Sequence, residues 1–208
     1  MISETVLERI RNEIVVYHDP KRIPHVMGVE KACCELCAFL SLDECTTRSL
    51  RFAALMHDCT KNWKTEKHLL YLRDKGVYIS EDMLRSKKTL HQLSGAYFTR
   101  EKYPEFTDEI AFSAISKHTT GGQMTICDAV LFLADYIEET RTFPDCVTIR
   151  NYFHELALNS GDKPETVLSR TMLEALDLTI KDLIKNGKYI NRDTVYARNY
   201  YLLITGET

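Results

Sequence analysis

An imidazole and a carboxylate stand side by side at His57-Asp58, directly after the apolar run RFAALM. Such a pair can grip one metal ion, and further residues of metal-binding type are spread along the chain: His25 upstream, His91, His118 and Asp135 downstream. They fall on different predicted helices, and helical bundles build metal sites from side chains that facing helices project inward. Mixed imidazole and carboxylate ligation without thiolate favours iron, manganese or a catalytic zinc over a closed structural zinc site. Asp135 is flanked by Leu131, Phe132, Leu133, Ala134, Tyr136 and Ile137. An ionised carboxylate there is costly unless it is metal-bound or paired, and a salt bridge to Arg141 or Lys61 is the alternative to a metal. Lys61, three residues beyond Asp58, lies on the same side if the helix continues, facing either phosphate or solvent. His18, His68 and His154 read as surface or capping residues. Cys33, Cys34 and Cys37 include a Cys-x-x-Cys, but no second pair follows at zinc-finger spacing and the segment reads as helix, so no zinc is expected there.

Positioning these groups requires a scaffold. Only eight glycines and five prolines occur in 208 residues, and apolar residues recur every three or four positions, which predicts an all-α protein. The length suits a single domain spanning 1–208, with a core at about 15–160 on which C-terminal helices at about 162–204 pack. An amphipathic helix is expected at MISETVLERIRNEI. Pro24 then opens a helix with the stripe Val26, Val29, Cys33, Leu36 and Leu40. The next runs from Thr47 through Leu50, Ala53, Ala54 and Met56 to His57 and Asp58, its alanines allowing close approach of a neighbour. A short helix ends at Gly76, a connector follows from Tyr78 to Lys88, and another short helix carries His91. Thr107 and Asp108 begin one through Ile110, Phe112 and Ile115 to His118, broken by Thr119, Thr120, Gly121 and Gly122. Ile126 to Thr140 is apolar nearly all round, a central buried helix with Asp135 inside it. Pro164 opens a long helix to Asn186, and Asp193 is the expected cap of a last one through Tyr196 and Tyr200.

Composition excludes several classes. At 44% apolar and 27% charged the chain is a folded one, and a net charge of −3 gives no basic field for nucleic acid. No run reaches 18 apolar residues, so no membrane span is expected, and the N-terminus lacks the pattern of a secretory signal. Seven cysteines then read as reduced thiols in a cytoplasm.

The order His25, His57-Asp58, Asp135 resembles the H…HD…D signature of the HD-domain metal-dependent phosphohydrolases. Within that superfamily, FAALMHDCTKNW, HTTGGQM and AVLFLADYIEETR are similar to the YqeK-type family, small bacterial symmetrical bis(5′-nucleosyl)-tetraphosphatases that split diadenosine tetraphosphate into two ADP. The likeness spans residues 15–203 and shows no departure at a ligand position. It implies a single-domain helical HD bundle with the metal site in its central cavity. It also implies that His25, His57, Asp58 and Asp135 hold an iron ion, manganese or another divalent metal being the alternative, with His91 and His118 on the substrate side or binding a second ion. Arg22, His91, the His118-Thr119 pair and Arg141 match positions turned toward nucleotide phosphates. The stretch from Tyr189 to Thr194 is implied to lie near the nucleoside.

The implied chemistry is physically coherent. A polyphosphate bridge carries about four negative charges, so attack on phosphorus needs nearby cations, which Arg22, Lys61, Arg141 and the metal supply. Asp58 both binds metal and accepts a proton from the attacking water, and His91 or His118 assists the departing oxygen. The expected ligand is a dinucleoside polyphosphate or an ADP- or GDP-like nucleotide. Two readings compete: an HD phosphohydrolase for a nucleoside monophosphate, cyclic nucleotide or guanosine alarmone, and a non-catalytic nucleotide sensor, against which the complete set of metal-type residues counts. The tyrosine-rich C-terminal helix suits a homodimer interface or core packing equally.

Overall fold

Local capping chemistry sets where most helices begin. The Ser3 hydroxyl accepts the Val6 N–H ahead of α1 (Glu4–Glu13), and Asp43 accepts the Thr46 N–H ahead of α3 (Glu44–Met56). Asp108 does the same with Ala111 for α7 (Glu109–Lys117), and Thr125 with Asp128 forms a capping box for α8 (Ile126–Ile137). The structure, a computed structural model, describes residues 2–206; among them are eleven α-helices, three short 3₁₀ turns and no strand. The remaining helices are α2 (Ile23–Phe39), α4 (Thr65–Asp74), α5 (Glu81–Arg85), α6 (Leu90–Lys102), α9 (Pro144–Asn159), α10 (Pro164–Lys185) and α11 (Arg192–Thr205).

Helix α8 is the axis of the core. Every residue from Asp128 to Ala134 is buried, and α2, α3, α7, α9 and α10 all pack around it. Ala53 and Ala54 of α3 are fully buried, the small side chains letting α3 sit close to α2, α7 and α8. Helix α6 packs on α7 and α4, and α11 on α10. No helix among the described residues is long and apolar enough to cross a membrane. The seven cysteines are free thiols, and Cys33 and Cys37 are buried in the core, apart from any group of metal-type atoms among the described residues.

A buried acid ties the first three helices together. Glu30 of α2, 4% exposed, accepts from Arg11 Nε of α1 at 2.8 Å and from Arg51 Nε of α3 at 3.0 Å. Glu30→Ala leaves the Arg11 guanidinium partly buried without its anion and Arg51 with Glu4 alone, and is expected to cost about 2 kcal/mol, less than for a fully buried pair because both arginines keep some solvent. Urea unfolding at unchanged m-value is the check.

The structure corrects several expectations. His18 and His68 are not surface residues: both are buried, His18 Nε2 lying 3.1 Å from the Leu55 carbonyl oxygen and His68 Nδ1 2.7 Å from Ser94 Oγ. His154 is exposed, as expected. The cap of α11 is Asn191, whose side chain receives the Asp193 N–H, rather than Asp193 itself. Helix α3 starts at Glu44 instead of Thr47, and the 78–88 connector contains α5 and a 3₁₀ turn. Helix α8 stops at Ile137, because Glu138 turns to an extended conformation with ψ 147°. Helix α9 was not expected, although Cys146, Ile149, Phe153 and Leu156, its buried positions, have helical spacing.

Candidate metal centre

Each group of the site comes from a helix end or a helix face near the middle of the bundle. His25 lies in the first turn of α2, His57 caps the C-terminus of α3 with Asp58 in the turn beyond it, His91 opens α6, His118 caps the C-terminus of α7, and Asp135 projects from the last turns of α8. Gly95 of α6 makes the approach of that helix possible, since a Cβ there would stand 3.3 Å from the His57 carbonyl oxygen. The residues expected from sequence to meet do so. His25 Nε2 is 3.2 Å and His57 Nε2 3.7 Å from Asp135 Oδ1, while Asp58 Oδ2 is 4.0 Å from His25 Nε2 and 3.6 Å from His57 Nε2.

Asp58 faces two ways. Its other oxygen, Oδ1, lies 3.1 Å from His91 Nε2, 3.5 Å from His118 Nε2 and 3.2 Å from Lys61 Nζ. Arg22 donates to Asp58 Oδ2 at 2.6 Å, and Arg141 donates to Asp135 Oδ1. The alternative of a salt bridge to Arg141 is therefore realised together with the imidazole cluster, not in place of it. Lys61 Nζ is also 2.9 Å from His91 Nε2, and Thr119 Oγ1 is 3.2 Å from the same nitrogen.

Ring orientation is set from behind. His57 Nδ1 faces the Ala54 carbonyl oxygen at 2.7 Å, His91 Nδ1 that of Lys88 at 2.8 Å, and His118 Nδ1 that of Ile115 at 2.8 Å. His25 Nδ1 instead faces Glu138 Oε1 at 3.0 Å. Each Nδ1 thus carries a proton toward its acceptor, which leaves Nε2 as the atom turned inward. Burial pushes the His57 imidazole down to about 3 and the His91 imidazole down to about 4, so both rings are neutral near pH 7. Burial works against ionisation of the carboxyl groups, but their neighbours outweigh it. The Lys61 ammonium beside Asp58 and the Arg141 guanidinium beside Asp135 hold both carboxyl groups well below the usual carboxylate range.

The donor set fits a divalent ion. His25, His57 and Asp135 offer one ligand atom each, all within 4.8 Å of one another, and so do His57, Asp58 and His118. Ligands about 2.1 Å from an octahedral ion stand about 3.0 Å apart when adjacent and about 4.2 Å when opposite, the range these atoms span. His25 Nε2 and His57 Nε2 are buried without a hydrogen bond, a costly arrangement for protein alone. Both face Asp135 Oδ1 and Asp58 Oδ2.

Two cavities open on the cluster. One, of about 420 Å³, is lined by Lys21, Arg22, His25, Asn62, Arg141 and Phe143 among others. The second, of about 430 Å³, includes Lys61, His118, Thr119, Asp135, Arg141 and Phe143. Arg141 and Phe143 form their common wall. Gln92 Oε1 accepts from the Thr119 and Thr120 N–H groups, fixing the turn after His118, and Gly121 continues that turn at φ 77°. Thr194 is buried behind the turn, donating to the Thr120 carbonyl oxygen at 3.1 Å, and exposed Tyr189 donates to Asp82 Oδ1 at 2.6 Å; neither lines these two cavities. Glu138 and Gln92 are site residues that sequence reading did not single out, the former signalled only by its place in the ADYIEETR segment.

Comparison with known proteins agrees with this geometry. The HD domain family model matches residues 22–140, a span containing His25, His57, Asp58 and Asp135. A Halalkalibacterium halodurans protein named symmetrical bis(5′-nucleosyl)-tetraphosphatase is 30% identical over 183 residues, covering 88% of this chain and 89% of the relative. A Staphylococcus aureus protein of the same name is 30% identical over 87% of both chains. A crystal structure from Clostridium acetobutylicum, described as an HD superfamily hydrolase involved in NAD metabolism, superposes with TM-score 0.81 at 28% identity over 98% of each chain. With its helical bundle and its converging imidazoles and carboxylates, the chain belongs to the HD-domain family of metal-binding hydrolases.

Proposed function

We propose that the chain hydrolyses a dinucleoside tetraphosphate symmetrically to two nucleoside diphosphates, with an iron ion held by His25, His57, Asp58 and Asp135. One observation carries this reading: unpaired ligand atoms converge directly beside Arg22, Lys61 and Arg141, so an ion and a polyanion fit the same place. The names of the relatives supply the substrate class. A bound divalent ion would contribute Lewis acidity toward phosphate oxygens and toward a water molecule.

The chain's own groups have separable tasks in this reading. Arg22, Lys61 and Arg141 neutralise the phosphate oxygens, an effect strengthened by burial in a cleft. Asp58, held ionised, accepts the proton of the attacking water. His91 presents an acceptor nitrogen inward, which suits it to orient Lys61, and Lys61 donates to the departing oxygen. Thr119 and His118 border the same space. The paired cavities match a substrate with two like arms on either side of a central phosphoanhydride. The stretch from Tyr189 to Thr194 supports the wall of the site from behind the 118–120 turn. The free thiols are in keeping with a cytoplasmic setting. The exposed Tyr196, Tyr200 and Leu203 of α11 are the surface through which a homodimer would form.

The test is a product assay. Metal-loaded protein incubated with diadenosine tetraphosphate is expected to yield ADP alone on anion-exchange chromatography. AMP with ATP, release of inorganic phosphate, or tight ADP binding without turnover would overturn the reading, the last in favour of a sensor.

A further inference from the structure

Three of the four inward-facing imidazoles are held by backbone carbonyls of residues three positions earlier. Two of these, His57 and His118, sit at helix C-termini, where the last carbonyls lack intrahelical partners and are free to accept. His25 is held differently. Like His91 it lies in the first turn of its helix, but its Nδ1 faces a side chain of another element instead of the carbonyl three residues earlier. That partner, among the described residues, is the Glu138 carboxylate.

Glu138 is well prepared for that task. Its side chain is fully buried; Oε1 faces His25 Nδ1 at 3.0 Å and accepts from Thr140 Oγ1 at 2.7 Å, while Oε2 accepts from the Thr140 N–H at 2.7 Å. The carboxylate lies across α2 one turn beyond His25, where Gly28 makes room: a Cβ at Gly28 would stand 2.3 Å from Glu138 Oε2. Arg150 of α9 donates to the carbonyl oxygens of Ile137, Glu138 and Arg141, pinning the turn that carries Glu138 out of α8. Helix α8 ends where it does, and α2 has a glycine where it does, so that this carboxylate reaches the back of one imidazole.

From this we propose that Glu138 is a positioning residue for His25, holding its ring with the proton on Nδ1 and Nε2 free toward the ion, and that Gly28 is the clearance it requires. The inference rests on the metal reading given above. Outer carboxylates of this kind, when removed, typically cost ten- to a hundredfold in metal affinity.

The experiment is a Mn²⁺ titration of the full-length, metal-stripped chain followed by electron paramagnetic resonance, with circular dichroism confirming that each variant is folded. Glu138→Ala is expected to bind Mn²⁺ about ten- to a hundredfold more weakly than wild type. Gly28→Ala should do likewise without removing any polar atom, because the new methyl displaces the carboxylate. Glu138→Gln preserves volume and hence folding, yet both its positions receive donors, so its NH₂ must oppose one of them, and about tenfold weakening is expected. Glu139→Gln, an exposed neighbour paired with Lys31, should stay within about twofold of wild type.

Histidine-selective ¹⁵N spectra of the metal-free protein, taken above the ring's titration, give a second readout that a merely structural role would not move. His25 should be protonated on Nδ1 in wild type and lose that preference in Glu138→Ala. Wild-type affinity in Glu138→Ala and Gly28→Ala, or an unchanged His25 tautomer, would overturn the proposal. A wild type that takes up neither Mn²⁺ nor Fe²⁺ would overturn the metal reading and this inference with it, a result distinct from a wild type that binds and a Glu138→Ala chain that binds equally well.

Discussion

Asp58→Asn abolishes turnover, by about 10³-fold or more, while the chain stays folded. The substitution is isosteric, but it removes the one anion that meets both halves of the centre: Oδ2 toward His25 and His57, Oδ1 toward His91, His118 and Lys61. The amide cannot accept the proton of water at neutral pH, and its NH₂ must face either inward-turned imidazole nitrogens or the cations Arg22 and Lys61. Loss of one electrostatic group in such a site costs about 10²–10³-fold, and loss of the ion adds to it. Beyond the stability lost with the ion itself, the substitution should cost little, because Arg22 and Lys61 are each about one-third exposed and regain water when the carboxylate is lost. Steady-state kinetics with metal analysis on the purified variant is the check; full activity with stoichiometric metal would remove Asp58 from the site.

Stripping divalent ions with a chelator is expected to reduce activity to background, with recovery on addition of Fe²⁺ or Mn²⁺, and to lower the melting temperature. An ion present at one hundred times its dissociation constant stabilises the folded state by about 2.7 kcal/mol. For a chain of this size each kcal/mol moves the midpoint by about 2–4 °C, so a drop of about 5–10 °C is expected. The magnitude reflects what the ion relieves: buried His25 Nε2 and His57 Nε2 would gain a partner on its return. Calorimetry and a discontinuous product assay on the same chelated sample measure both effects. Retention of activity and midpoint after verified metal removal would refute the assignment.

Much of this centre can be read along the chain because its members sit where helical periodicity is strong. Asp135 interrupts an otherwise apolar helix, and a charge in that setting calls for a partner; His57-Asp58 follows a buried run that contains the small residues Ala53 and Ala54. The order of these groups points to the family before any coordinates do. Glu138 is not legible in the same way. It begins the polar stretch EETR, which reads as a solvated helix end, and nothing in the one-dimensional pattern shows that α8 stops at Ile137 and swings the side chain under α2. Gly28 looks like a weak point of α2 until the carboxylate across from it is seen. His68 misleads for a related reason: it lies among the polar residues of TEKHLL, yet α4 packs that face on α6 and buries it against Ser94. Long-range partners decide these cases, and spacing along the chain does not encode them.

The way the basic side chains are tethered would couple the two occupants of the proposed site. Without an ion, Arg22 and Lys61 spend their charge on Asp58, and Arg141 spends its own on Asp135. An incoming polyanion must compete with both acids for those three cations. A divalent ion takes over the acids, leaving the guanidinium and ammonium groups available to the anion, and thermodynamic reciprocity requires that the anion tighten the ion in return. In the proposed reaction ion and nucleotide would therefore each strengthen the hold on the other, whichever arrives first.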